Sequence, residues 1–338
     1  MKVRKDIINV AVVGLGVGEQ HAITYSKLEK SRLCLIHDLN IQKSINISKK
    51  LGCKIADNFD QIIEDSDIDL ISIASFDDVH YSQIISGLEA EKHIFVEKPL
   101  CETKRELKLV KQTWDKQKSN VKLSSNLILR AAPIYIWLKE KIASGFFGDI
   151  YSFDGDYLYG RLHKITHGWR KNLPNYSAIK GGGIHLIDLM IWLTGQKPIS
   201  VSTVGSKICT MGSDFKHDDF MASTYKFDSG MIGRITANLG CIHRHHHIMR
   251  IFGTKATFIY DDAGPRVHFT TDPNMSTSSI SLDTLPRKKG DLIQPFVESI
   301  IKDDDLEEHT QTFFDEISIC LSSEEALKQK SELEIMYI

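Results

Sequence analysis

Several classes of protein are excluded by what the sequence lacks. The six cysteines (Cys34, Cys53, Cys101, Cys209, Cys241 and Cys320) form no C-x-x-C pair. That removes the paired-thiol motifs and leaves reduced core thiols in a cytoplasmic protein as the economical reading. No apolar run approaches the length that spans a bilayer. Charge is nearly balanced: 42 Lys and Arg against 44 Asp and Glu give −2. No basic field therefore points to nucleic acid or to an anionic membrane. No internal repeat or low-complexity tract stands out. The start, basic and then apolar, imitates a signal peptide, but the apolar run is short, carries Asn9 and breaks at Gly14 without a cleavage pattern. A first β-strand explains it better.

What is present is 338 residues, enough for two domains, with 42% hydrophobic and 25% charged residues, ordinary values for a globular protein. Strands alternate with helices for nearly the first hundred residues. Ile7–Val13, Arg32–His37, Asp69–Ala74 and His93–Val96 are apolar and rich in β-branched residues. Helical segments lie between them, and this pattern predicts a parallel sheet covered on both faces. Ligands of such sheets bind beyond the strands' carboxyl ends.

Four signals converge at those ends. Gly14-Leu15-Gly16-Val17-Gly18 lies between strand and helix, where backbone can approach a pyrophosphate. Its G-x-G-x-G spacing is one residue tighter than G-x-G-x-x-G, so taken alone it also fits a structural turn. Asp38 ends the second strand, 20 residues past Gly18, where dinucleotide folds place an acid on the ribose hydroxyls. A carboxylate there repels a 2′-phosphate and favours NAD over NADP; the competing reading is a plain helix cap. Ser75 opens the loop after the third long strand. Lys98 leaves the next strand on a stiff hinge, because Pro99 denies it helical geometry. A solvated lysine at a strand end is the alternative.

The string resembles the Gfo/Idh/MocA family of NAD(P)-dependent oxidoreductases, which act mostly on sugars and polyols. The Gly loop followed by His21-Ala22, the Asp57 to Asp69 spacer, the Ser75 to His80 loop, Glu97-Lys98-Pro99, Asn126 to Arg130 and Pro133 carry the likeness, which covers nearly the whole chain. It implies an α/β fold: a Rossmann-type doubly wound parallel sheet over residues 1–122, then an α+β domain over 123–338 with a large open, mostly antiparallel sheet. It implies NAD held by Gly14, Gly16, Val17, Gly18, Asp38, Ser75, His80, Glu97, Lys98 and Asn126. It also implies that Lys98 is catalytic, that the Lys98–Pro99 bond is cis, and that the second domain supports a homodimer or homotetramer.

In the second half, Ile150–Tyr159 alternates as a strand that places Tyr151, Phe153, Gly155, Tyr157 and Tyr159 on one side. The stretch from Gly160 to Lys180 is read as irregular. It holds Arg161, His163, His167, Trp169, Arg170, Asn175 and Tyr176, unusually rich for a connector. Tyr157, His167, Trp169 and Arg170 are taken as substrate contacts, since aromatic faces suit sugar C–H surfaces and Arg suits anions. A solvated loop anchored by Trp169 is the alternative.

Gly181-Gly182-Gly183 then precedes an apolar helix carrying His185 and Asp188, which share a face. A lone histidine on such a helix is most often a core residue. Behind three glycines that admit a ligand, and by the resemblance, His185 is the acid/base beside the nicotinamide. One departure matters. Family dehydrogenases commonly carry an Asp four residues earlier, where this chain has Gly181. Tyr157, His163, His167 and Lys180 are the candidates for the missing polar group; Asp188 is expected to be structural. From Ser200 to Tyr260 strands dominate. His243, His245 and His247 would share a strand face and invite a zinc reading. No acid lies at suitable spacing, and Arg244 and Arg250 are poor neighbours for a cation, so no metal is expected.

The sequence thus predicts a cytoplasmic NAD-dependent dehydrogenase of a sugar, nucleotide-linked or otherwise anionic. His185 exchanges the hydroxyl proton and Lys98 stabilises the same oxygen. Two alternatives are an NAD-using lyase or hydrolase with transient redox chemistry, and a dinucleotide or sugar sensor without turnover.

Overall fold

The computed structural model describes residues 5–275 and 277–338; residues 1–4, the basic start of the signal-like stretch, and Ser276 lie outside them. The chain packs as two units. The first holds residues up to Ala131, Pro286–Phe314 and Ile338; the second holds Ala132–Leu285 and Asp315–Tyr337. A single boundary at 122/123 does not describe this division, because the chain returns to its first unit near the C-terminus.

The first unit contains one six-stranded sheet: β1 (Ile8–Val13), β2 (Ser31–His37), β3 (Lys54–Ile55), β4 (Leu70–Ile73), β5 (His93–Val96) and β6 (Leu123–Ser125). Their order is β3-β2-β1-β4-β5-β6 with every pairing parallel. This is the doubly wound order whose direction reverses beside β1. The helices between are α1 (Gly18–Tyr25), α2 (Ile41–Leu51), α3 (Phe59–Glu64), α4 (His80–Glu89) and α5 (Lys104–Gln117). Local chemistry sets their starts. Asn40 accepts from Lys43 N at 3.1 Å, Asn58 accepts from Gln61 N at 2.9 Å, and Thr103 with Glu106 forms a reciprocal capping box.

Val10, Val12, Ile36, Leu70 and Phe95 are buried in one core with Ile293, Phe296 and Val297. The last three lie on a later helix, Ile293–Lys302. Burying side chains of this kind contributes about 1.5–3 kcal/mol each, which is why the segment from Pro286 rejoins this unit.

The second unit begins with α6 (Pro133–Ala143) and β7 (Ile150–Leu158). The stretch read as irregular holds α7 (Leu162–Thr166) and a 3₁₀ turn, Trp169–Asn172. The three glycines do not form a loop before the helix. They belong to a π-helical turn, Ile179–Gly183, continuous with α8 (Ile184–Thr194). The remaining strands are β8 (Pro198–Ser206), β9 (Phe220–Phe227), β10 (Ile232–Asn238), β11 (His246–Gly253), β12 (Thr257–Asp261), β13 (Gly264–His268), β14 (Ser278–Ser279) and β15 (Leu333–Glu334).

They form a nine-stranded sheet in the order β14-β13-β12-β11-β7-β10-β9-β8-β15. It is antiparallel except between β7 and β10. Along β7, Phe153, Gly155 and Tyr157 are buried, on the side facing α8. Asp154 and Asp156 alternate to the other side, where Asp156 pairs with Arg234 at 3.0 Å and Arg250 at 3.3 Å. Between β14 and β15 run α9 (Ile293–Lys302) and α10 (Glu307–Gln329). No disulfide joins the cysteines. No helix among the described residues is long and apolar enough to cross a membrane.

Candidate active site

In the first unit, adjacent strands of the sheet deliver expected residues just past their carboxyl ends. Taken in sheet order, Asp38 follows β2, Gly14 follows β1, Ser75 lies beyond β4, Glu97 and Lys98 follow β5, and Asn126 follows β6. Hydrogen bonds link several of them. The Asp38 carboxylate accepts from Leu15 N at 2.5 Å and from Asn40 N at 2.7 Å. It therefore tethers the Gly loop to the turn before α2, whose N-cap is Asn40 rather than Asp38.

Gly14 has φ +80°, and a Cβ there would lie 2.5 Å from Ala74 O and Ser75 N. A positive φ against a neighbouring strand's backbone leaves glycine as the residue that fits. Gly18 lets α1 settle on β1 and β4, for its Cβ would meet Ala74 Cβ at 3.0 Å and Val12 Cγ1 at 3.2 Å. Gly16 has nothing within 4 Å of such an atom. One tight turn, one open position and one close helix contact are the three jobs glycines perform at a pyrophosphate.

Ser75 Oγ donates to Gln83 Oε1 at 2.6 Å. His80 is fully buried, with Nδ1 2.8 Å from Pro99 O and Nε2 3.2 Å from Ser75 O. It spans the loops after β4 and β5. The Lys98–Pro99 bond is cis. Glu97 Oε1 accepts from Asn126 Nδ2 at 2.7 Å and lies 3.2 Å from His21 Nε2. Burial alone would push the Glu97 carboxyl up. Hydrogen bonds and charge from His21, with Asn126 and Lys98 adding, outweigh it and hold the carboxyl below its ordinary range. His21 is fully buried, and its Nδ1 meets Ser72 Oγ at 3.0 Å. Reading the sequence for chemistry missed this histidine as a site residue; its place just after the Gly loop was the available signal.

These residues fit NAD. The Gly16 side of the loop is open, Asp38 stands at the end of the second strand, and Asn126 Oδ1 is buried without a hydrogen-bond partner among the described residues.

The second unit assembles a different set. Half-buried His185 lies in the first turn of α8. Its ring lies 6.5 Å from that of Tyr157 and 5.8 Å edge-on from that of His247. Tyr157 and His247 stand opposite each other on β7 and β11, with rings 5.4 Å apart. His245 packs edge-on to both, at 5.3 and 4.9 Å. Burial, with Tyr176 and Tyr159 nearby, pushes the Tyr157 hydroxyl well above the usual phenol range, against the opposing charges of Arg170 and Arg161. Burial also pushes His247 down to about 3, with His245 and His246 adding. Its Nε2 is buried and without a hydrogen-bond partner among the described residues.

The three-histidine strand face does not form. β11 begins at His246, and His243 turns away to stack on His246 at 6.0 Å with its Nε2 2.9 Å from Asp262. The acid that sequence spacing did not reveal thus comes from the next strand connection. Neither His245 nor His247 was foreseen beside His185, because cross-strand register is not written in local spacing.

Of the expected substrate contacts, Tyr157 is buried against His185. Arg170 lies over the Trp169 ring at 4.2 Å. His167 is exposed, with Nδ1 2.8 Å from Thr166 Oγ1. Among the candidates for the missing polar group, His163 is exposed. Lys180 is buried and ion-paired with Glu324 at 3.1 Å. Tyr157 presses its ring on Gly182, where a Cβ would lie 2.1 Å from its Cε1.

Two family profiles match. One, described as an oxidoreductase family with an NAD-binding Rossmann fold, covers residues 8–125; the other, described as the GFO/IDH/MocA C-terminal domain, covers residues 135–259. A myo-inositol 2-dehydrogenase of Thermotoga maritima is 24% identical over 277 residues, 78% of each chain. A 2,7-anhydro-N-acetylneuraminate hydratase of Escherichia coli is 23% identical over 267 residues, 75% of this chain and 68% of that one. Among solved structures, a levoglucosan dehydrogenase in complex with NADH has the same fold: TM-score 0.84 at 21% identity, covering 98% of this chain and 100% of that one.

Proposed function

The chain belongs to the Gfo/Idh/MocA family of oxidoreductases, and on that basis we propose that it is an NAD-dependent dehydrogenase of a sugar or polyol hydroxyl, acting in the cytoplasm. The reading rests on one observation: the ends of five adjacent strands present Asp38, the Gly loop, Ser75, Glu97 with Lys98, and Asn126, with Asp38 bonded to the Gly loop, His80 between Ser75 O and Pro99 O, and Asn126 bonded to Glu97. Gly14, Gly16, Val17 and Gly18 would hold the pyrophosphate, Asp38 the ribose hydroxyls, and Asn126 Oδ1 a donor of the nicotinamide half. Bound NAD supplies a hydride acceptor, or as NADH a hydride donor.

His185 takes the proton from the reacting hydroxyl in oxidation and returns it in reduction. Lys98 donates to that oxygen and offsets its developing negative charge. Tyr157, Trp169, Arg170 and His167 contact the rest of the substrate. Arg161 and Arg170 both bring positive charge toward Tyr157, which supports a substrate carrying negative charge, such as a nucleotide-linked sugar. The outer face of the nine-stranded sheet would serve self-association as a homodimer or homotetramer, which sedimentation velocity would register.

Purified protein with NAD and a panel of free sugars, polyols, sugar phosphates and nucleotide sugars tests the reading through NADH absorbance. One substrate class is expected to give NADH, and the signal is expected to vanish in His185→Ala. A His185-independent signal would contradict the assigned role.

The relative named as a hydratase favours a second reading, in which redox is transient and water is added or removed without net NADH. Product formation at constant absorbance would select it.

A further inference from the structure

Gly181 stands one helical turn before His185, in the π-helical turn that runs straight into α8. Side chains on a helix lean toward its N-terminus, which directs a side chain at 185 back over the turn that contains Gly181. Cβ atoms one turn apart are about 5–6 Å from each other, a gap an imidazole is long enough to bridge. The place where a Gly181 side chain would begin is already filled. A Cβ there would lie 2.2 Å from Tyr176 Oη and 2.6 Å from its Cζ. This face of the helix therefore presents the hydroxyl of Tyr176 in place of a side chain of its own.

The phenol is held in that slot. Tyr176 is 6% exposed, and its ring rests edge-on against Phe215 at 5.8 Å and beside His217 at 6.1 Å. His217 is itself fixed, with Nε2 2.8 Å from Leu173 O. The other polar groups near the turn are committed elsewhere. Lys180 pairs with Glu324, Ser177 donates to Glu324, and Tyr157 lies on Gly182. Farther along α8, Asp188 is fully buried.

We infer that Tyr176 is the positioning residue of His185: its hydroxyl hydrogen-bonds the imidazole and fixes which ring nitrogen carries the proton. A histidine that exchanges protons with a substrate must offer one defined nitrogen to it, and the hydrogen bond made by the other nitrogen selects the tautomer. This inference rests on the reading of His185 as the proton-exchanging group. It adds the partner that makes the ring usable, and it accounts for glycine at 181 by the space the phenol occupies.

The test is the histidine-ring ¹⁵N spectrum of the NAD-loaded protein, with the His185 signals assigned by their loss in His185→Ala. Wild type is expected to hold His185 in one neutral tautomer. Tyr176→Phe keeps the aromatic ring and loses Oη, and a mixture of tautomers is expected. With a working substrate, turnover should fall about tenfold or more while KM changes less than about threefold. A second variant replaces the hydroxyl from the other side: Gly181→Ser in a Tyr176→Leu background is expected to restore the single tautomer that Tyr176→Leu alone loses.

An unchanged His185 spectrum in Tyr176→Phe overturns the inference, as does failure of the serine to restore it in a folded protein. Should His185→Ala keep full turnover, the functional reading falls, while the spectrum still decides whether Tyr176 holds the ring.

Discussion

Glu97 Oε1 lies 3.2 Å from His21 Nε2 inside the first unit, with the Asn126 amide donating to the same oxygen. A carboxylate is thus kept charged in a half-buried position directly before Lys98. Because its folded pKa is depressed, its contribution is present above the unfolded value of about 4.3 and is lost as pH falls through the folded value. Glu97→Gln should cost roughly 1–2 kcal/mol at pH 7. The gap to wild type should narrow below about pH 4. Urea unfolding across that range measures it; a gap that stays constant with pH would contradict the assignment.

The glycine loop separates two kinds of damage. Gly14→Ala meets strand backbone at 2.5 Å with φ +80° and should lose roughly 2–4 kcal/mol of stability. Gly16→Ala meets nothing within 4 Å. Its melting temperature should hardly move, while NAD affinity falls about tenfold or more because the open side is where the pyrophosphate comes. Thermal unfolding and calorimetry on the same two variants distinguish these effects. Equal NAD affinity in Gly16→Ala and wild type would remove the loop from the cofactor site.

His247 gives a pH signature of its own. Its folded pKa of about 3 lies below the unfolded value of about 6.5, so the unfolded chain binds the proton first as pH falls. Stability should decline from about pH 6.5 downward on its account. His247→Phe keeps a ring against His185 and Tyr157 and should flatten that decline by roughly 1–3 kcal/mol between pH 6.5 and 4. Parallel wild-type and variant curves in that window would mean His247 is protonated in the fold.

The first unit was legible because its signals are local. A strand, a glycine loop, an acid 20 residues on and a Lys-Pro hinge are read from short windows, and a parallel sheet brings its strand ends together whatever the side chains do. His80, expected at the cofactor, lies between two loop carbonyls, a contact set by packing rather than by local spacing. The second unit was read less well because its site is made by register. Nothing near His247 announces that it lies opposite Tyr157, or that His243 turns to Asp262. Gly181 was singled out as a departure from the resembled family's pattern. The phenol that fills its place sits five residues earlier in a stretch whose path only packing decides, and Lys180, a candidate for that part, spends its charge on Glu324, 144 positions further along the sequence.

The central claim, that Lys98 and His185 carry the chemistry of an NAD-dependent dehydrogenase, is tested most directly by steady-state NADH production. Wild type, Lys98→Met and His185→Ala would be compared on the best substrate of the panel, with NAD affinity measured alongside. The account predicts that each variant binds NAD within about threefold of wild type and loses about a hundredfold or more in kcat. Undiminished turnover in either variant, with wild-type NAD affinity, would contradict it.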